Sequence, residues 1–477
     1  MIQTNYIVAI ELSSSKVTGA VGIETINGIK IIATASTLVD GYISKGVVRN
    51  VDKTSEAIAD IINRLEHDLT DNDGKEITIK RAYVSLAGLT MHSIQSKVTR
   101  TFDTYTKISA ETISEMELEN DALFQVPDGY SKVHVITQEY KVDGKTDHNP
   151  IGAPAMAIEG RYLNIVIKKQ FLEQLNESFE QVDTVITDSF VAACMDADIL
   201  LTKDARRNGC ALVNIGAETT TVSIYNNDNL RMLKVLPLGS NNITRDLCAE
   251  QISYDAAEVI KITRGYKSQA SETEPISNET ANNIIRARTG EILQNVKYQI
   301  EESGEMIHNV IFTGGGSRLK NLSILLEEYL PNFNTSIVSD PQLAFECKPG
   351  VNTYGIFTTA LYGLLNHGKE NCCEETSNEP QPTTLFPENI MSGNDTPEED
   401  TTTIANEEEE ARREEEQRKK KEEEDRKKRE EELKKKKKTE KEQALLNKIR
   451  GFGGLFKEFL QDATSEDEDD DINNEDD

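Results

Sequence analysis

The chain has 477 residues and a formal net charge of −30, enough length for two or three domains with sizeable cores. That charge argues against nonspecific nucleic-acid binding, and no apolar run approaches the roughly 18 residues a membrane-spanning helix needs. The six cysteines (Cys194, Cys210, Cys248, Cys347, Cys372 and Cys373) show neither metal-ligand nor disulfide-framework spacing. With no secretory leader before the first strand, this is the pattern expected of a protein in a reducing cytosol.

In chain order, 6–12, 17–23 and 29–36 read as a β-meander, and 53–68 as a helix with Ile58, Ile61, Ile62 and Leu65 on one face. The first strand connection is Val8-Ala9-Ile10-Glu11-Leu12-Ser13-Ser14-Ser15-Lys16-Val17-Thr18, a polar side chain near a strand end followed by small and hydroxyl residues. An inserted stretch over 85–165 carries its own strands near 132–139 and a helix near 110–123. After Ala211 the meander-then-helix order recurs, now with Val213-Asn214-Ile215-Gly216-Ala217-Glu218-Thr219-Thr220-Thr221-Val222 at the first connection. Such turns present backbone N–H groups and hydroxyls to an anion. One copy is weak evidence, because small-residue hairpins are common. Two copies in a duplicated α/β chain point to a nucleotide clamped at its phosphates from opposite sides.

Two more segments belong with this pair. Val310-Ile311-Phe312-Thr313-Gly314-Gly315-Gly316-Ser317-Arg318-Leu319 is a buried strand ending in three glycines, where backbone can approach a flat ligand such as an adenine–ribose unit. Leu238-Gly239-Ser240-Asn241-Asn242-Ile243-Thr244-Arg245-Asp246 precedes Ala257-Glu258-Val259-Ile260-Lys261, where Glu258 and Lys261 lie one helical turn apart. Read in isolation, the glycines make a tight turn and Glu258–Lys261 an ordinary ion pair; their place in the pattern assigns them to the ligand.

Beyond Leu365 the composition changes. Residues 370–403, rich in Pro, Thr, Asn, Ser and Glu, read as a flexible linker, and the adjacent Cys372 and Cys373 as incidental thiols within it. Residues 407–442 are nearly all Glu, Lys and Arg, either a solvated single helix or a disordered spacer. In 444–463, Leu445, Ile449, Phe452, Leu455, Phe456, Phe459 and Leu460 share half a helix circumference. Arg450 and Lys457 lie opposite, and Lys448 sits at the boundary with a stem able to snorkel. That face fits a membrane interface first and a partner's groove second. Nine carboxylates close the chain over 466–477.

Together these residues resemble the FtsA-type branch of the actin-like ATPase superfamily, from Tyr6 to Leu365 and again in the plan of the tail. Asn149-Pro150-Ile151-Gly152 with Gly160-Arg161-Tyr162-Leu163 looks like that family's signature closing its inserted subdomain. Val133-His134-Val135-Ile136, Ile243-Thr244-Arg245-Asp246 and Ala257-Glu258-Val259-Ile260-Lys261 carry the rest of the likeness. The resemblance implies an α/β, actin-like, two-half fold of ribonuclease-H type. Its first half is 1–84 with 166–195, its inserted assembly subdomain 85–165, its second half 196–240 with 304–368, and its smaller subdomain 241–303. A linker over 369–406, a charged spacer over 407–443, an amphipathic membrane helix over 444–463 and an acidic tail over 464–477 complete the plan.

The same resemblance implies ATP with Mg2+ between the halves and filaments of the chain with itself. It further implies docking of the FtsZ tail on 241–303, attachment to anionic membrane at the cytoplasmic face of the division site, and recruitment of later divisome proteins. The nucleotide contacts would be Ser13, Ser14, Ser15, Lys16, Gly216, Ala217, Glu218, Thr219, Thr220, Glu258, Lys261, Gly314, Gly315, Gly316 and Arg318, with Glu11, Asn214 and Glu218 on the hydrolysis or Mg2+ side and no direct metal ligand. Arg286, Arg288 and Lys297 are the candidate receptor for acidic residues of the FtsZ tail. Ser13 stands where the family has glycine, and Asn214, Ala217, Glu218 and Thr221 replace Asp, Gly, Gly and Asp. These departures predict weak or moderate ATP binding and very slow hydrolysis. A sugar kinase would need a catalytic Asp and a chaperone a β-sandwich domain, neither of which is evident. A pilus-assembly adaptor of the same superfamily remains the alternative, distinguished by its lack of the terminal amphipathic helix.

Overall fold

The structure is a computed structural model, which describes residues 4–69, 76–147, 149–267, 276–338, 346–351 and 358–376. Its first half opens with three antiparallel strands, Tyr6–Leu12, Lys16–Thr25 and Gly28–Leu38. Ile7, Val8, Ala9 and Ile10 are all buried because both faces of this sheet are covered, which is why the strand reads as a continuous apolar run. The helix Val51–Leu69 covers one face with Ile61 and Leu65 against Gly19, and the helix Thr359–His367 covers the other with Leu365 against Gly22. Arg81–Leu86 and Val185–Val191 extend the sheet in parallel on one side and Glu346–Cys347 on the other.

The second half repeats the plan. Cys210–Ile215, Thr220–Asn226 and Asn229–Leu236 form its meander, and Asn309–Thr313 and Asn334–Ile337 add to it in parallel. The repeat extends to the turns. Leu12 pairs with Val17 and Ile215 with Thr220, so each first connection is a turn of the same length. Each is closed by the same bond, Ser13 N–H to Lys16 O at 3.0 Å and Gly216 N–H to Thr219 O at 2.8 Å. Glu11 and Asn214 are therefore structural equivalents, as are Ser13 and Gly216, and Ser15 and Glu218.

The inserted stretch is a sheet of its own, built on His92–Lys107, Tyr130–Val142 and Pro154–Lys168 with the helix Ala110–Leu123 on it. Met116, Tyr140, Ile158 and Tyr162 form a separate small core there. A single bridge, Lys234 to His92, joins this sheet edgewise to the second half's meander. The smaller subdomain holds the helices Asn241–Ala249, Tyr254–Arg264 and Asn278–Glu302.

The expected linker starts too early. Cys372 N–H donates to Tyr6 O at 2.8 Å, and Cys372 O accepts from the amides of Lys80 and Arg81. Cys373–Thr376 then pairs antiparallel with Glu76–Ile79. Cys372 and Cys373 are buried at 1% and 6% exposure, so they act as small core side chains. Residues 377–477 lie outside the described residues, and with them the rest of the linker, the spacer, the membrane segment and the acidic tail.

Candidate functional site

The two turns open onto one cleft of about 480 Å³, a size suited to a small-molecule ligand. Ser13, Ser14, Ser15 and Lys16 line it from the first half. Gly216, Ala217, Glu218, Thr219, Glu258, Lys261, Gly314, Gly315 and Arg318 line it from the second, with Glu11 and Asn214 at the floor. Two nominated residues stay out: Thr220 is fully buried with its hydroxyl donating to Leu238 O at 2.8 Å, and Gly316 backs onto Ile215. Ser13 does not crowd the cleft, because its Oγ folds back to bond Lys16 O at 2.8 Å and to accept from Lys16 N–H at 3.2 Å.

Two of the three glycines line the cleft, each by a different means. Gly314 has φ +88°, and a Cβ there would meet Asn214 Oδ1 at 2.3 Å, so only glycine fits. At Gly315 an added Cβ meets nothing within 4 Å, so this backbone faces open cleft. Glu258 and Lys261 do pair, at 2.6 Å, and the buried Thr244 hydroxyl links them by donating to Glu258 and accepting from Lys261. The pair is at once a structural bridge between two helices and part of the cleft wall.

The floor holds a carboxylate that sequence reading missed. Asp196, 2% exposed on the helix Ala192–Leu200, accepts at Oδ2 from Asn214 Nδ2 at 2.8 Å and at Oδ1 from the Thr359 hydroxyl. Next door, the Thr358 hydroxyl donates to Glu11 Oε2. Burial pushes the Asp196 carboxyl above the ordinary range against the hydrogen bonds from Thr359, Asn214 and the Ala360 amide. Burial likewise raises Glu11, opposed by the Thr358 bond, with the Asp196 charge adding to the rise and Lys16 working against it. Burial lowers Lys16, offset by Glu11 and reinforced by Arg318. Among the described residues, no three His, Cys, Asp or Glu side chains cluster as a metal cage. The floor instead fits a cation that keeps its water and takes its remaining ligands from phosphate.

Across the mouth lies a hairpin whose strands are Ile43–Ser44 and Val47–Val48. Its two turn residues, Lys45 at φ 53° and Gly46 at φ 71°, are both left-handed, as a two-residue hairpin turn demands. The tip bonds both phosphate-type turns. Gly46 N–H donates to Ser14 Oγ at 2.9 Å, while Lys45 N–H and Ser44 Oγ–H donate to Glu218 Oε2 at 2.6 and 2.9 Å. Arg245 completes the set around Glu218 at 2.6 Å.

A family model described as Cell division protein FtsA matches residues 211–345, and a second, described as SHS2 domain inserted in FTSA, matches 88–166. Both matched segments are similar to FtsA proteins. Cell division protein FtsA of Porphyromonas gingivalis is 29% identical over 309 residues, 60% of this chain and 63% of that protein, so the match spans under two thirds of it. FtsA of Bacillus subtilis is 26% identical over 68% of this chain and 77% of its own, and FtsA of Escherichia coli K12 is 23% identical over 76% and 90%. The structure titled PilM-PilN type IV pilus biogenesis complex shares the fold at a TM-score of 0.56, with 16% identity over 75% of this chain and 97% of that one. The fold is therefore actin-like, with an insertion of the FtsA type, and the likeness to FtsA proteins supports a role in division.

The residues nominated for FtsZ do not form one basic patch. On the helix Asn278–Glu302, Arg286 bonds Glu328 at 2.5 Å, Arg288 bonds Asp246 and Glu291, and Lys297 stands 4.0 Å from Glu301. Each cation is matched by a carboxylate, and Arg288 turns toward the helix Asn241–Ala249. Asp196, Ser44, Lys45 and Thr358 had no motif to mark them. Arg245 lay inside a quoted segment, but nothing in that segment set it opposite Glu218.

Proposed function

We propose that this chain is a division-site adaptor that binds ATP with Mg2+ between its halves, assembles with itself and tethers the FtsZ ring to the cytoplasmic membrane. The observation that carries the nucleotide part is the pair of equivalent turns, closed by the same hydrogen bond, opening on one cleft. Backbone amides and hydroxyls at such turns are donors to phosphate. Glu11 and Asp196 would hold a hydrated Mg2+ through its waters, and that ion would supply charge neutralisation to the phosphates. Asn214 supplies a neutral amide where the family pattern has an acid, so hydrolysis is slow. The tether rests on the family match and on the amphipathic pattern of 444–463. The pilus-adaptor alternative is not favoured, because both family models are of FtsA type.

Gly315→Leu tests the cleft. An added Cβ meets no neighbour, so the fold should persist while the side chain fills the ligand's space. Affinity for fluorescent ATP should fall at least about tenfold, or 1.4 kcal/mol, with melting temperature unchanged. Phosphate release by the wild-type chain should stay below about 10⁻² s⁻¹, the scale of slow nucleotide switches. Unaltered affinity in the variant would remove the cleft as the nucleotide site.

A further inference from the structure

We propose that Glu218 is a built-in surrogate for a terminal phosphate, and that it makes the cleft hold a nucleoside diphosphate more tightly than a triphosphate. The inference rests on the nucleotide reading of the cleft and specifies which nucleotide that site selects. Its basis is the donor set around one carboxylate. Glu218 receives a backbone amide from Lys45, a hydroxyl from Ser44 and a guanidinium from Arg245. Amide, hydroxyl and guanidinium are the groups that proteins direct at phosphoryl oxygens. Here they converge on a side chain that is 11% exposed and lies within the second phosphate-type turn.

The equivalence of the two turns sharpens this. The position matching Glu218 in the first turn is Ser15, an exposed hydroxyl residue bearing no charge. One turn thus offers hydroxyls and the Lys16 cation, while the other carries an anion at the place matching Ser15. The hairpin tip is also committed, since its amides are already shared between Ser14 and Glu218. A Cβ on Gly46 would lie 2.8 Å from Gly88 Cα, so the tip packs closely against that backbone.

A phosphate held between the turns therefore shares its space with a fixed negative charge whose donors are taken. Every added phosphate increases the repulsion, in a setting where salt screens poorly. The last phosphate of a triphosphate must either displace Glu218 from its three donors or sit beside its carboxylate. A diphosphate adds less charge and leaves the Glu218 contacts across the cleft mouth intact, so it binds with the two halves still latched.

The test is titration of the full chain with fluorescently labelled ADP and ATP, each with Mg2+, in wild type, Glu218→Gln and Glu218→Ala. Wild type should bind ADP at least about tenfold more tightly than ATP, equivalent to 1.4 kcal/mol. Both variants should narrow that ratio to about threefold or less by gaining ATP affinity. Equal wild-type affinities would overturn the proposal, and this arm needs no variant to fold. A ratio unchanged in either folded variant would overturn it equally. Binding of neither nucleotide would instead refute the nucleotide reading of the cleft, a separate result.

Discussion

Asn214 and Asp196 form a pair in which the charge sits on the helix and the neutral partner on the turn, 2.8 Å apart. This arrangement predicts a coupled mutational result. Asn214→Asp removes the donor and sets two carboxylates together, at a cost of about 2 kcal/mol. Adding Asp196→Asn restores a donor–acceptor pair with the charge moved to the turn, and should recover most of that loss. Additive losses in urea denaturation would show that the two side chains do not act as a unit. The single Asp196→Asn change also carries a pH signature. Burial raises the folded-state pKa of Asp196. The stability linked to its protonation is therefore complete below the ordinary carboxylate range and is lost as pH rises through the folded value. The stability difference between the variant and wild type should therefore move in the variant's favour as pH rises from about 4 to 7.5. Asp196 was illegible in the sequence for a physical reason: it belongs to a short helix of Ala, Cys and Met, and its partner is 18 residues away. No local spacing records that contact.

At the scale of elements, the apolar strands and amphipathic helices were legible where one periodicity dominated. The helix expected at 53–68 spans Val51–Leu69, and the one near 110–123 is Ala110–Leu123. Cys373–Thr376 escaped because its neighbours are Lys, Glu and Asn, and only two cysteines mark its buried side. Its contribution is measurable. A chain ending at Gly368 should be about 3–5 kcal/mol less stable than one ending at Thr376, from two buried side chains and a lost strand pairing. Matching denaturation midpoints would contradict the assignment of this strand to the folded body. The hairpin over the cleft was equally hidden. Lys45-Gly46 is a recognisable two-residue turn, but its hydrogen bonds run to Ser14 and Glu218, far away in sequence.

For the whole molecule, the duplicated plan could be read early because each half repeats the same meander and turn. The edgewise union of the inserted sheet with the second half could not, since one backbone pair and scattered side-chain bonds such as Ser93 to Leu233 and Gln138 to Leu230 make it. In the proposed reading, a clamp of two facing turns would tie ligand state to the relation between the halves, and the amphipathic pattern of 444–463, which follows the charged stretch in sequence, would supply membrane attachment. No helix among the described residues is long and apolar enough to cross a membrane. The most direct measurement is co-sedimentation of the full chain with anionic liposomes and purified FtsZ, comparing wild type with a Phe456→Glu, Phe459→Glu variant. The account predicts that wild type pellets and brings FtsZ with it, while the variant leaves both in the supernatant. Equal pelleting of the two proteins, or pelleting that leaves FtsZ behind, would contradict it.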